Sequence, residues 1–79
     1  MMKHLKTIFA QVLGIKEEEI NLDSSPQNIE SWDSFNSLML ITELEKNFGL
    51  KFTTEEILSV KCFGDIVKIL KKRGIKEGI

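Results

Sequence analysis

The chain has 79 residues, a length that predicts a single small domain spanning residues 1–79. Its 42% hydrophobic content suffices for a compact core, and 29% of its residues are charged. A single cysteine, Cys62, excludes an internal disulfide and a cysteine-rich zinc site, while a single histidine, His4, disfavours a histidine metal cluster or a Ser–His–Asp triad. A net charge of −1 and the absence of an apolar run near the ~20 residues of a membrane span predict a soluble, cytoplasmic domain without membrane insertion. We also expect it to be a monomer without a metal and without catalysis of its own.

The first periodic segment covers residues 3–13. Its apolar residues recur at helical spacing on one stripe: Leu5, Ile8, Phe9, Val12 and Leu13. Gly14 follows where a left-handed residue ends a helix. Residues 15–32 keep no period and contain the only proline, Pro26, so they predict a long loop. We expect the apolar residues of this loop to anchor it to the helices: Ile15, Ile20, Leu22, Ile29 and Trp32.

A second helix is predicted to begin at Asp33-Ser34, where either side chain can cap the first turn, and to end at Gly49. The sequence from Thr53 to Glu56 is a capping box that opens a short helix. A last helix is predicted over residues 63–73, with a half-buried Cys62 before it. Eight side chains are expected to line the interior: Phe9, Leu38, Ile41, Leu44, Phe48, Ile57, Ile66 and Leu70. The prediction is all-α, a four-helix bundle of three longer helices and one short helix, with a long loop between helices one and two.

The junction at the start of helix two reads Glu-Ser-Trp-Asp-Ser-Phe-Asn-Ser-Leu over residues 30–38. It resembles the attachment site of acyl carrier proteins, whose Asp-Ser-Leu motif stands at the start of the second helix; Phe35 replaces the leucine here. Further similar segments follow in family order: Val-Leu-Gly after helix one, Asp-Ser-Ser-Pro in the loop, and Glu-Leu-Glu-Lys-Asn-Phe-Gly at the end of helix two. The capping box and the Phe-Gly-Asp-Ile-Val start of the last helix extend the resemblance over residues 5–70.

The resemblance implies a carrier function and no enzymatic activity. A phosphopantetheinyl transferase would attach 4′-phosphopantetheine to Ser34, and the thiol of this arm would carry an acyl or aminoacyl group as a thioester. The expected partners are that transferase and the enzymes that load and accept the cargo. The expected contact residues are Asp33, Phe35, Met39, Thr42 and Glu45.

The physical chemistry of the junction agrees with this function. A serine at a helix N-terminus places a phosphodiester beside unpaired backbone N–H groups and the positive end of the helix dipole. The sequence around Ser34 supplies no histidine or cysteine, as expected for a hydroxyl that is activated by a second enzyme.

Helix two carries fewer acids than is usual in fatty-acid carriers, with Asn36, Met39 and Lys46 at positions where acids are common. Because surface charges mainly steer encounter, we expect slower association with general fatty-acid enzymes. The Trp-Asp-Ser junction resembles that of stand-alone carriers dedicated to particular pathways, so we expect a role in lipid, polysaccharide or secondary-metabolite assembly.

Two other classes remain open at this point. In the first, the chain is a helical protein-interaction module without a prosthetic group, and Ser34 is only a helix cap. In the second, the basic residues of the last helix bind nucleic acid. The sequence disfavours the second class because those residues share a helix with the core stripe and no recognition helix is evident, so we expect no nucleic-acid partner.

Overall fold

The computed structural model describes residues 5–75. Four helices follow one another along the chain: α1 (Leu5–Leu13), α2 (Ser34–Phe48), α3 (Thr54–Ser59) and α4 (Phe63–Lys72). No strand occurs between residues 5 and 75, and the predicted all-α arrangement of three longer helices and one short helix is confirmed. Lys3 and His4 lie outside the described residues. None of the helices within the described part is long and apolar enough to cross a membrane.

α1 buries the stripe that its sequence predicts. Leu5, Ile8, Phe9 and Leu13 are buried, whereas Val12 is only half-buried at the edge of the stripe. Gly14 ends the helix with φ = 66°, a left-handed conformation that glycine adopts without a steric penalty.

The loop of residues 14–33 is anchored by its side chains and by its backbone. Ile20, Ile29 and Trp32 are buried as predicted, and Ile15 is half-buried. The prediction for Leu22 is wrong, because its side chain is 61% exposed. The loop is attached at that point by the Leu22 carbonyl, which accepts a hydrogen bond from the Gly64 N–H at 3.0 Å, and the side chain faces away.

The same backbone contacts cap α4. Its N-cap residue, Cys62, is half-buried as predicted and makes no side-chain cap. The carbonyls of Ser24 and Leu22 instead accept the first free N–H groups of the helix, those of Phe63 at 2.7 Å and Gly64 at 3.0 Å. The loop therefore supplies hydrogen-bond acceptors for the free N–H groups at the N-terminus of α4, and these bonds fix the loop and the helix relative to each other.

An aromatic cluster forms the centre of the core. The Phe9 ring packs edge-to-face against Trp32, at 5.3 Å between centroids, and against Phe63 at 4.8 Å. Edge-to-face geometry is favoured by the aromatic quadrupole. Since Trp32 stands two residues before Ser34, this cluster fixes the loop end that leads into α2.

The buried face of α2 differs from the predicted one near the start of the helix. Leu40, Leu44 and Phe48 are buried, whereas Leu38 is 64% exposed, so its assignment to the interior is wrong. Two residues correspond to about 200° around an α-helix, so Leu38 and Leu40 face opposite ways. Of the other seven residues predicted to be interior, five are buried and two are half-buried: Phe9, Leu44, Phe48, Ile66 and Leu70, then Ile41 and Ile57.

Candidate functional site

Ser34 is the first residue of α2 and is exposed to solvent. Asp33 precedes it as the N-cap residue, in an extended conformation, and its Oδ1 accepts a hydrogen bond from the Asn36 N–H at 2.8 Å. Within residues 5–75 the Ser34 hydroxyl has no hydrogen-bond partner. The serine therefore presents a free hydroxyl on the rigid first turn of the longest helix.

The loop end in front of Ser34 is held by a second hydrogen bond of Asn36. Its side-chain amide donates to the Ser31 carbonyl at 2.8 Å, while its own N–H is capped by Asp33. Asn36 thus joins the last residues of the loop to the first turn of the helix. From the sequence, Asn36 was identified only as a residue at a position where acids are common. The feature that could have predicted this contact is an amide side chain three residues after the N-cap residue.

The helix terminus suits a phosphodiester on Ser34. Asp33 caps one N–H, and the N–H of Ser37 bonds the Asp33 carbonyl at 2.8 Å. Among the described residues the N–H groups of Ser34 and Phe35 make no hydrogen bond, so partial positive charge remains at this end of the helix. The donor set and the exposed hydroxyl fit a phosphate linkage that extends into solvent.

Two neighbouring serines have a different environment. The Ser31 Oγ is completely buried and has no partner within residues 5–75. Ser37 is half-buried and faces a cavity beside α2. Of the three serines at this junction, Ser34 is the exposed one.

The cavity that Ser37 faces has a volume of about 90 Å³ and lies one turn along α2 from Ser34. Its walls are mostly apolar and come from the loop, α2, α3 and α4: Pro26, Trp32, Ser37, Leu38, Leu40, Ile41, Ile57, Val60 and Ile66. Two residues predicted to be interior, Ile41 and Ile57, are therefore half-buried because they form the walls of this space. A small apolar cavity beside an exposed hydroxyl can receive the apolar end of a flexible group attached there.

Several apolar side chains in the first turns of α2, and one on α3, are exposed. Phe35 is 70% exposed, Leu38 64% and Met39 41%, and Leu58 on α3 is 73% exposed. Exposed apolar side chains that gather at one end of a domain mark contact surfaces. Phe35 and Met39 belong to the predicted contact set, whereas Leu38 was not recognised because its spacing suggested burial.

The remaining predicted contact residues lie further along α2. Thr42 is exposed, and its hydroxyl donates to the Leu38 carbonyl at 3.0 Å. The Glu45 carboxylate accepts a hydrogen bond from the Phe52 N–H at 2.8 Å and lies 4.0 Å from the Lys51 Nζ. Glu45 therefore fixes the turn between α2 and α3, a role that its sequence position did not reveal.

Comparison with known proteins agrees with this geometry. Residues 3–70 match the family model described as "Phosphopantetheine attachment site". The chain belongs to the acyl carrier protein family. It is 34% identical over 71 residues to the acyl carrier protein of Clostridium acetobutylicum, a match that covers 90% of this chain and 92% of the relative. It is 30% identical over 71 residues to that of Coprothermobacter proteolyticus, covering 90% of this chain and 87% of the relative.

A third acyl carrier protein, from Chlamydia trachomatis, is 28% identical over 69 residues and covers 87% of this chain and 90% of the relative. The protein is therefore an acyl carrier that uses covalently attached 4′-phosphopantetheine, and it is a carrier rather than an enzyme. A carrier works by interacting with the enzymes that load and unload it. When bound, the group supplies a flexible arm with a thiol that forms the thioester; the chain itself holds the arm and presents it.

Proposed function

We propose that Ser34 is the residue that carries the arm and that residues 1–79 act as one carrier domain. The observation that carries this proposal is the exposed, unpartnered hydroxyl of Ser34 at the first position of α2, in the part of the chain described by the structure. The transferase supplies the activating base, so the site needs access and rigidity rather than a catalytic neighbour. The proposed partners are a phosphopantetheinyl transferase and cytoplasmic enzymes that load and accept acyl or aminoacyl groups. The carrier is proposed to act as a monomer.

The contact surface proposed for these enzymes is the exposed face beside Ser34. Asp33 contributes a negative charge, Phe35 and Met39 contribute apolar area, and Thr42 extends the face along α2. Glu45 lies at the far end of this face, and its carboxylate also accepts a hydrogen bond from the Phe52 N–H.

The small cavity is the proposed shelter for the end of an acyl chain. Its lining includes Ser37, Leu38 and Ile41 from α2 and Ile57 from α3. Each methylene removed from water contributes about 0.8 kcal/mol, which favours entry of the chain over exposure at the end of the arm.

Single substitutions test the attachment site. The unmodified protein is incubated with coenzyme A and a broadly specific phosphopantetheinyl transferase, and its intact mass is measured. We expect the wild type to gain one phosphopantetheine and Ser34→Ala to gain none while remaining folded, because no side-chain hydrogen bond is lost. Ser31→Ala and Ser37→Ala are the matched controls, and both should be modified. Modification of Ser34→Ala would show that the arm is attached elsewhere.

The weakly acidic α2 supports a carrier for a dedicated pathway. Met39 and Lys46 occupy α2 where acids would strengthen attraction to basic enzyme surfaces. The variant Lys46→Glu, which leaves the proposed contact surface intact, should associate faster with general fatty-acid elongation enzymes, with little change in dissociation rate and with the gain lost at high salt. Efficient elongation on the unaltered protein would contradict the dedicated role.

A further inference from the structure

α3 is the most weakly packed helix of the bundle. It has six residues, none of them fully buried, and Leu58 in its last turn is 73% exposed. A helix this short is not stable by itself and depends on its contacts. One contact is local: Thr53 accepts the Glu56 N–H at 3.1 Å, and Glu56 accepts the Thr53 N–H at 2.9 Å.

The other polar contact comes from the far end of the chain. Arg73, the residue after α4, donates from Nε to the Glu56 Oε2 at 3.1 Å and from Nη2 to the Glu56 Oε1. The two side chains are 30% and 20% exposed. The other ion pair among the described residues, Lys51–Glu45, spans 4.0 Å and its lysine is 90% exposed. A two-bond arginine–carboxylate pair fixes direction as well as distance, which a single lysine contact does not.

The position of α3 sets one wall of the cavity beside Ser34. Ile57 directly follows Glu56 in α3, and Val60 ends the helix; both line the cavity. Leu38 and Ser37 on α2 line it as well. A displacement of α3 away from α2 therefore widens the cavity on the side nearest the attachment helix.

We propose that Arg73 is a positioning residue that holds α3 over the cavity through Glu56, and so controls how readily an acyl chain enters and leaves. The proposal rests on the sheltering of cargo proposed above. Its residues, Glu56 and Arg73, lie on α3 and after α4 and belong neither to the attachment site nor to the exposed apolar residues of α2. Loss of the pair loosens α3 while the aromatic core stays intact.

Hydrogen exchange of the arm-bearing, unloaded protein tests the structural half of the proposal. Arg73→Gln should speed exchange of the Ile57 and Val60 amides by about twofold to fivefold, with α1 amides unchanged. Lys72→Gln is the matched control: it removes the same charge one residue away, and Lys72 is exposed and has no ion pair within residues 5–75. Raising the salt concentration should speed exchange in the wild type and much less in Arg73→Gln.

A second pair of variants separates the ion pair from the helix cap. Thr53→Val removes the hydroxyl that accepts the Glu56 N–H and leaves Arg73 in place, so its effect on exchange should not depend on salt. Arg73→Lys should restore part of the protection, since lysine keeps the charge but not the two-bond geometry. Equal exchange of α3 amides in Arg73→Gln and the wild type would overturn the proposal.

The effect of Arg73 on the acyl chain is measured by the rate at which the thioester is cleaved. With a medium-length acyl chain on the arm, hydroxylamine should cleave the thioester about twofold to fivefold faster in Arg73→Gln than in the wild type or Lys72→Gln. Faster exchange of α3 with unchanged cleavage would show that Arg73 holds the helix but does not control the cargo, and would overturn this half. Burial of the acyl chain is tested separately, by the effect of loading on the melting temperature of the wild type. Failure of the burial proposal can therefore be distinguished from failure of the proposal for Arg73.

Discussion

Loading the arm with a medium-length acyl chain should stabilise the fold, because the chain end enters the cavity beside Ser34. The cavity volume is about 90 Å³, and a water-sized group occupies about 30 Å³. Room for about three methylenes at about 0.8 kcal/mol each gives about 2 kcal/mol before the cost of widening the cavity. Since only the folded state holds the chain, this energy adds to the stability of the fold.

For a domain of this size, 1 kcal/mol shifts the melting temperature by about 4–8 °C. We therefore expect loading to raise the melting temperature by up to about 8–16 °C, and the unloaded arm to change it little. The assay is thermal unfolding followed by circular dichroism for the unmodified, arm-bearing and acyl-loaded forms.

A variant with a filled cavity provides the control. Ile41 is a half-buried wall residue, and Ile41→Phe places a larger side chain in the space that the acyl chain would use. Loading should then raise the melting temperature by less than half of the wild-type shift. Ile57→Phe fills the same space from α3 and should behave alike. An equal rise in wild type and variants, or no rise at all, would refute burial of the chain in this cavity.

Three further predictions concern the framework around the site. Leu44 is fully buried, so Leu44→Ala should lower the free energy of unfolding by about 2–5 kcal/mol in urea denaturation. A Cβ on Gly64 would lie 3.0 Å from the Leu22 carbonyl oxygen, so Gly64→Ala should cost about 1–3 kcal/mol and speed exchange of the Gly64-position amide, which the loop protects. The Arg73 hydrogen bonds, and then the Thr53 N–H, lower the pKa of Glu56. The stabilisation from this pair is therefore complete above the ordinary Glu pKa of about 4.3 and is lost as pH falls through the lowered folded value. The α3 amides should lose protection over that range of pH, and Arg73→Gln should remove most of this pH dependence.

The sequence predicted the helices well because their signals are local. Apolar spacing, Gly14 and Gly49 at the helix ends, and the Thr53–Glu56 capping box each act within a few residues. Spacing alone did not fix which face of α2 is buried: Leu38 and Leu40 are both apolar, and only packing against the other helices decides between them.

The features that the sequence did not predict depend on residues distant in the chain. The carbonyls of Leu22 and Ser24 cap α4, and Arg73 reaches Glu56 across 17 positions. Backbone carbonyls carry no sequence signal, and a basic residue after a helix is equally expected from the helix dipole. The position of Ser34 at the start of α2 was predictable because the signal for a helix start and the family motif coincide there.

Attachment of the arm to Ser34 is tested most directly by locating the modified residue. Cleavage after Lys16 and Lys46 releases residues 17–46, one peptide that contains all five serines of the loop and α2: Ser24, Ser25, Ser31, Ser34 and Ser37. Fragmentation of this peptide by electron transfer, from protein modified with coenzyme A, separates these positions. We predict that the added mass appears in every fragment that contains Ser34 and in no fragment that ends at Asp33 or begins at Phe35. Added mass on a fragment that lacks Ser34 would contradict the account.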